Sequence, residues 1–104
     1  MLEKQSLNVF WDAPCVVFIL GETSRRNLHV NCSLAAAYFM MGAASRGLGT
    51  CWVNLGAEIH DPDMLSELGI PSDHTIVAPI SLGYPANIPA APKRNEPEIL
   101  KVIS

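Results

Sequence analysis

The stretch "NCSLAAAYFMMGAASRGLGTCWVN", residues 31–54, decides the fold, because a helix-type composition gives way to a strand-type one at two glycines. Its first part is rich in alanine, leucine and methionine, which favour helix, and Asn31 is placed as the N-cap residue. Gly47 stands where a left-handed residue ends a helix, and Leu48 is placed for the apolar contact that often accompanies such an end. The sequence therefore predicts a helix of about 15 residues, followed by a short strand over residues 50–56.

The predicted helix is apolar on almost all sides, since no continuous polar face remains. Its apolar members are Leu34, Ala35, Ala36, Tyr38, Phe39, Met40, Met41 and Ala44. A helix of this kind is buried on nearly every side, either through the middle of a domain or across a subunit interface. Core packing and a dimer contact are both open, and the two do not exclude each other.

The flanking segments predict further strands and a short helix. "DAPCVVFILG" (12–21) is typical of a buried strand, and the polar "ETSRRNLHVN" (22–31) is typical of a loop. "DPDMLSELGIP" (61–71) predicts a two-turn helix with Asp61 as N-cap, Pro62 at the first helical position and Gly69 just past the end.

The last third of the chain predicts one strand and an extended end. "HTIVAPISLGYP" (74–85) is strand-like, and Pro79 indicates an edge position or a β-bulge, because proline cannot donate to a ladder. After Pro85 the chain is proline-rich and closes with "EILKVIS" (98–104). The order β, α, β, α, β would also suit a parallel doubly wound sheet, but the short segments and the proline favour an α+β arrangement with a mixed sheet.

Composition bounds the possible functions. At 104 residues the chain is one domain at most, and 49% hydrophobic against 16% charged residues suggests that part of the surface faces a partner. A net charge of −3, with seven scattered basic residues, disfavours nucleic acid. No apolar run reaches the length of a membrane span and the start is polar, so a soluble cytoplasmic protein is expected.

Cysteine and histidine spacing argues against a disulfide framework or a metal site. Cys15, Cys32 and Cys51 are odd in number and widely spaced in apolar context, which fits buried thiols in a reducing compartment. The three histidines are equally dispersed, so no metal is expected. A thiol redox role remains as a hypothesis for Cys51, or for Cys32 in the first turn of the predicted helix.

The glycines do not form a phosphate-binding loop. Gly47 and Gly49 follow a helix and precede a strand, the reverse of the dinucleotide fingerprint, and no Walker motif occurs. Gly49 and Gly56 bracket "TCWVNL", a segment able to offer main-chain hydrogen bonds to a flat ring. A core role for Trp52 is the alternative.

The ordered set GLGTCW, ELGIP and LGYP, with "DAPCVVFILG" before it and "PKRNEPEI" after it, resembles the FMN-dependent nitroreductase family from about Val9 onward. The resemblance is to the C-terminal portion of that family. It implies an α+β fold with a mixed, mainly antiparallel sheet and a long buried helix, so that residues 1–104 form a single partial nitroreductase-like domain.

The resemblance also implies a function. Family members are intertwined homodimers that bind FMN between subunits and transfer hydride from NAD(P)H to nitroaromatics, quinones or other acceptors. By the same resemblance, Trp52, Val53, Asn54 and Leu55 run beside the isoalloxazine ring. Lys93 and Arg94 match the basic pair that reaches the flavin phosphate or the N1/O2 edge. No protein nucleophile is implied, because the cofactor carries the chemistry.

One family motif has no counterpart in the sequence. The Arg-x-Ser-x-Arg motif is missing from "MLEKQSLNVF", and Arg25 and Arg26 do not match it. Three interpretations follow: a C-terminal piece of a longer protein, a short relative that binds flavin weakly, or a non-catalytic dimerisation or ligand-binding module.

Overall fold

The chain is built from helices on an antiparallel sheet. A computed structural model describes residue 10 and residues 12–104. In chain order the elements are β1 (Cys15–Glu22), α1 (Leu28–Ser45), β2 (Gly49–Trp52), a 3-10 helix (Asn54–Glu58), α2 (Pro62–Glu67) and β3 (His74–Gly83). The sheet order is β1-β3-β2, with both pairings antiparallel. The predicted α+β class with a mainly antiparallel sheet is confirmed.

Both predicted glycine ends are confirmed, and each closes a full Schellman motif. Gly47 has φ +75°; its N–H donates to the carbonyl of Ala44, and the next N–H, of Leu48, donates to Ala43, each at 3.0 Å. Gly69, at φ +79°, does the same at the end of α2. Because these motifs depend only on local sequence, pattern reading finds them.

The start of α2 is also as predicted. The Asp61 carboxylate accepts a hydrogen bond from the backbone N–H of Asp63 at 3.0 Å, and Pro62 occupies the first helical position. The N-cap side chain thus satisfies one of the free donors that begin every helix.

The predicted start of α1 is wrong by one turn. Asn31 lies inside the helix, where its N–H donates to the carbonyl of Asn27 at 2.9 Å, and Asn27 is the N-cap residue, at φ 61°. The physical reason is packing: the side chain of Leu28 lies against Gly21 of β1, 2.6 Å from where a Cβ would stand. That contact adds a helical turn to a segment whose polarity is typical of a loop.

Helix α1 has one covered side and one open side within this chain. Ala36 and Ala43 are buried, and Phe39 and Met40 pack with Ala36 against the sheet. The opposite side bears a stripe of four apolar residues that are more than half exposed, at the helical spacing of four, four and three: Val30, Leu34, Tyr38 and Met41. We call these four residues the open α1 face.

Pro79 lies in the central strand and pairs in register with Phe18, so its predicted edge position is wrong; β3 does have a bulge, but at Val77 rather than at the proline. The β1–β3 register shifts between Ile19 and Leu20, which leaves an extra residue in β3 opposite them. The missing N–H of Pro79 faces β2 just beyond the point where β2 ends at Trp52. No ladder partner is left without a donor there, so a central proline is tolerated.

The segment predicted as one strand over residues 50–56 divides in two. Strand β2 ends at Trp52, and the chain then turns into the 3-10 helix Asn54–Glu58. The predicted first strand begins three residues later than expected and is half-buried along most of its length.

The extended end is confirmed. Residues 84–104 form no helix or strand and are exposed. The radius of gyration is accordingly 16.7 Å, against about 13 Å for a compact domain of this length.

The two faces of the sheet carry separate clusters. Ala78 and Ile80 point to the α1 side and form the core with Ala36. Pro79, which alternates with them, points to the other face. There Pro79 and the ring of Phe10 both lie against Gly56 of the 3-10 helix, and the rings of Phe10 and Phe18 meet edge to face with their centroids 6.0 Å apart.

Candidate functional site

Trp52 and Val53, the first half of the predicted ring-contacting segment, are held by the sheet. Trp52 is the last residue of β2, paired with Ile80, and its half-buried side chain packs against the core cluster under α1. Val53 is 6% exposed, and its N–H donates to the carbonyl of Pro79 at 2.8 Å. The carbonyl of Val53 accepts from Gly56 at 2.9 Å. Both backbone polar groups of Val53 are thus used inside the fold.

Asn54 and Leu55, the second half, present free donors. Both residues are exposed, and Leu55 keeps 64% of its surface. They open the 3-10 helix, whose first N–H groups have no partner within the helix. Within the described part of the chain, neither N–H makes a hydrogen bond and no side chain caps them. Among residues 10 and 12–104, these two consecutive amide donors beside Trp52 are therefore left without a partner.

Lys93 and Arg94 make no polar contact with that segment among the described residues. Both are exposed in the extended stretch after β3. Along residues 10 and 12–104, neither side chain has a hydrogen bond or an ion pair. The structure therefore shows no polar contact that brings the two cations to residues 52–55, and within the described residues it gives them no acidic partner.

A shallow groove of about 410 Å³ lies where α1 ends and the extended stretch leaves the sheet. One wall is the end of α1 with the start of β2, and the other is the chain just after β3. Its lining residues are Ala44, Gly47, Leu48, Gly49, Thr50, Pro85, Asn87, Ile88 and Pro89. The sequence singles out the glycines of this groove but not its opposite wall, because that wall depends on where the chain after β3 lies in the fold.

Phe10 and its contact with Gly56 were also missed as parts of the site. Phe10 is 2% exposed and packs behind the 3-10 helix, on the face of the sheet away from α1. No local pattern predicts this contact, which joins residues 46 positions apart. The only available signal was the glycine itself, since a glycine often marks close approach.

The thiol hypothesis loses its structural basis at Cys32. With α1 beginning at Leu28, Cys32 lies beyond the first turn and is therefore not at the positive end of the helix. All three cysteines are free, and Cys15 and Cys51 are exposed, so the expectation of buried thiols is wrong for those two. Both lie on outer strands of the sheet, which explains their exposure.

Electrostatics within the described residues centre on the loop before β3. The side chain of His74 lies 2.8 Å from the carboxylate of Asp73, and this hydrogen bond lowers the pKa of Asp73.

No group of three metal-ligating side chains is found among residues 10 and 12–104. None of the helices in the same part of the chain is long and apolar enough to cross a bilayer.

Solved structures show the same fold. The chain is similar to a nitroreductase with bound FMN from Bacteroides fragilis, at 26% identity over 92% of this chain and 54% of that one, with a TM-score of 0.77. It is similar to an FMN-dependent nitroreductase from Clostridium difficile, at 23% identity over 88% and 64%, with a TM-score of 0.67. An iodotyrosine deiodinase bound to FMN and 3-iodo-L-tyrosine shares the fold at 18% identity over 92% and 51%, with a TM-score of 0.69.

The chain spans between about half and two thirds of the length of these structures. The model of the nitroreductase family matches residues 2–84, which is most of the sequence and includes every helix and strand described above. The chain therefore belongs to the nitroreductase family.

Proposed function

We propose that this protein is a flavin oxidoreductase of nitroreductase type, with FMN held against residues 52–55. The observation that carries the proposal is the family match over residues 2–84. The B. fragilis structure, with its bound FMN and similar fold, supports the choice of cofactor.

The donors of the candidate site suit a flavin ring. An isoalloxazine presents nitrogen and oxygen acceptors along its edge, and such acceptors need N–H donors that are not already used. Asn54 and Leu55 are exposed residues whose N–H groups have no partner in the described part of the chain, while the N–H of Val53 is already bonded to Pro79. We therefore assign hydrogen bonding of the ring to Asn54 and Leu55, and apolar support to Trp52 and Val53.

The two tail cations suit the phosphate. Lys93 and Arg94 are exposed and have no acidic partner among the described residues. A phosphate dianion is bound most strongly by such charged donors, and arginine offers a bidentate fork. Placed instead near the N1 edge, the same charges would favour the reduced ring.

Bound FMN supplies the hydride chemistry, so this chain's residues need only bind and orient it. We further propose NADH or NADPH as the donor and nitroaromatics, quinones or similar small molecules as acceptors. The protein acts as a homodimer in the cytoplasm, with the open α1 face at the seam between subunits. A second copy would cover the apolar stripe that one chain leaves exposed.

Titration with FMN tests the proposal. The purified protein should quench flavin fluorescence saturably and shift the visible flavin bands, and the complex should consume NADH or NADPH when a quinone is added. Riboflavin, which has the ring but no phosphate, serves as the matched ligand and should bind more weakly. A protein whose addition leaves the flavin spectrum unchanged at every concentration would rule the proposal out.

A second candidate is a non-catalytic dimerisation or ligand-binding module. The open α1 face favours it, because that face accounts for assembly without any cofactor. This candidate expects a dimer in sedimentation together with no flavin binding and no NAD(P)H consumption. A monomer that binds no flavin would exclude both candidates.

A further inference from the structure

The hydrogen bonds of the sheet do not by themselves set the orientation of the Asn54 and Leu55 amides. Strand β2 stops at Trp52, and among residues 10 and 12–104 the backbone hydrogen bond that ties the next residue to the sheet runs from Val53 N–H to the carbonyl of Pro79. The 3-10 helix that carries Asn54 and Leu55 has no side-chain cap at its start. Another contact must therefore fix how this short helix sits.

That contact is at Gly56. A Cβ on Gly56 would overlap the ring tip of Phe10 and lie 2.7 Å from Cβ of Pro79 and 3.0 Å from Cε1 of Phe10. Since real Cβ atoms do not approach this closely, the backbone of Gly56 lies directly on both side chains. Gly56 is the residue after Leu55, so its position determines where the two amides point.

Phe10 is itself rigidly held. It is 2% exposed, and its ring meets Phe18 edge to face, with the planes at 88°. Phe18 lies opposite Pro79 in the β1–β3 register. The ring therefore packs on β1 through Phe18 and also touches the 3-10 helix at Gly56.

We propose that Phe10 is a positioning residue for the candidate flavin site: its ring supports Gly56 from behind and thereby sets the direction of the Asn54 and Leu55 N–H groups. The inference rests on the proposed function for its purpose, but the support itself is a property of the protein without flavin. Phe10 touches neither substrate nor cofactor and acts only through Gly56.

The test compares Phe10→Leu with Phe39→Leu. Both changes shorten a phenylalanine in the core, but Phe39 packs on the α1 side of the sheet and has no contact with Gly56. In the flavin-free protein, Phe10→Leu should shift the amide NMR signals of Asn54 and Leu55, and Phe39→Leu should leave them in place. If Phe10→Leu does not fold, Phe10→Met makes the same comparison, because its flexible side chain refills the space.

Flavin binding gives a second measurement. Phe10→Leu should raise the FMN dissociation constant on the order of tenfold, as expected for one weakened hydrogen bond, and should move the visible flavin bands. Phe39→Leu should do neither. Unmoved Asn54 and Leu55 signals in Phe10→Leu, or equal movement in Phe39→Leu, would overturn the inference. If the wild-type chain binds no FMN, the proposed function fails, and the NMR comparison still decides the role of Phe10.

Discussion

The N–H of Val53 donates to the carbonyl of Pro79 at 2.8 Å, which joins the candidate site to a proline in the central strand. Pro79 is fully buried, and the carbonyl of Val53 is already taken by Gly56. A backbone carbonyl can accept two hydrogen bonds, so the N–H that alanine adds would face the Val53 carbonyl, and the main effect of the change is the loss of buried ring contacts. We expect Pro79→Ala to lower the free energy of unfolding by about 1–3 kcal/mol, measured by urea denaturation.

An equally stable Pro79→Ala variant would show that the packing of the proline ring contributes little to stability. The control is Pro71→Ala, since Pro71 is exposed in the loop before β3. Its effect should be small.

Replacing either left-handed glycine, Gly47 or Gly69, should lower stability through backbone strain alone. No atom lies within 4 Å of a Cβ placed on Gly47 or Gly69. Gly47→Ala and Gly69→Ala should therefore each lower the free energy of unfolding by about 1–2 kcal/mol, which is the strain of an alanine in the left-handed conformation. Thermal or urea unfolding measures the loss.

Gly42→Ala is the matched control. Gly42 lies within α1, and its nearest neighbour to an added Cβ is Arg46 at 3.9 Å. Alanine there should stabilise the helix by about 0.5–1 kcal/mol. A loss at position 42 as large as at 47 would contradict the backbone explanation.

Asp73 should make stability depend on pH in the acid range. Its hydrogen bond from His74 is the main cause that lowers its pKa below the ordinary value of about 3.9. A carboxylate whose pKa is lower in the folded state stabilises that state above its unfolded pKa. The contribution disappears as pH falls through the lower, folded pKa. The effect should be small, because the group is exposed.

Carboxyl NMR titration of Asp73 checks this directly. In His74→Gln the pKa of Asp73 should return toward its ordinary value, and in Asp73→Asn the acid slope of stability should flatten. No change in the Asp73 titration without His74 would assign the shift to another cause.

The open α1 face should control assembly if it is the subunit seam. Leu34→Glu and Tyr38→Glu place a charge at the centre of that face and should convert a dimer to a monomer in sedimentation. His29→Glu is the control, because His29 is exposed on α1 outside the stripe. If the wild-type protein is a monomer at high concentration, the open α1 face is not a subunit interface.

The tail cations should contribute to FMN affinity. Charge-assisted hydrogen bonds contribute about 1.5–3 kcal/mol, so Lys93→Gln and Arg94→Gln should each weaken FMN binding by about tenfold or more. Lys101→Gln, in the same exposed stretch, should have little effect. Bound FMN should also slow tryptic cleavage at residues 93–94, and equal cleavage with and without FMN would argue against phosphate contact.

The sequence predicted those features that depend on near neighbours. Asp61, Gly47 and Gly69 were identified because a helix end is a matter of a few consecutive residues. Leu28 and Pro79 were misjudged because their roles depend on residues distant in sequence. Gly21 extends α1, and the early end of β2 makes room for a central proline.

The candidate site divides in the same way. Resemblance named residues 52–55 as one segment, but the sheet register uses both backbone polar groups of Val53 and leaves the N–H groups of Asn54 and Leu55 free. The amino-acid sequence alone does not predict this difference between Val53 and its two successors. Phe10 was not identified because its contact with Gly56 spans two strands and a helix.

Strand β1 has a neighbour on only one side within the described part of the chain. Its eight residues, CVVFILGE, are mostly apolar, and every second peptide group along its outer side lacks a strand to bond with. An unpaired strand edge is a template on which further chains can add. We therefore expect β1 to be where aggregation starts at high concentration, and a lysine at an outward position of that strand to delay it.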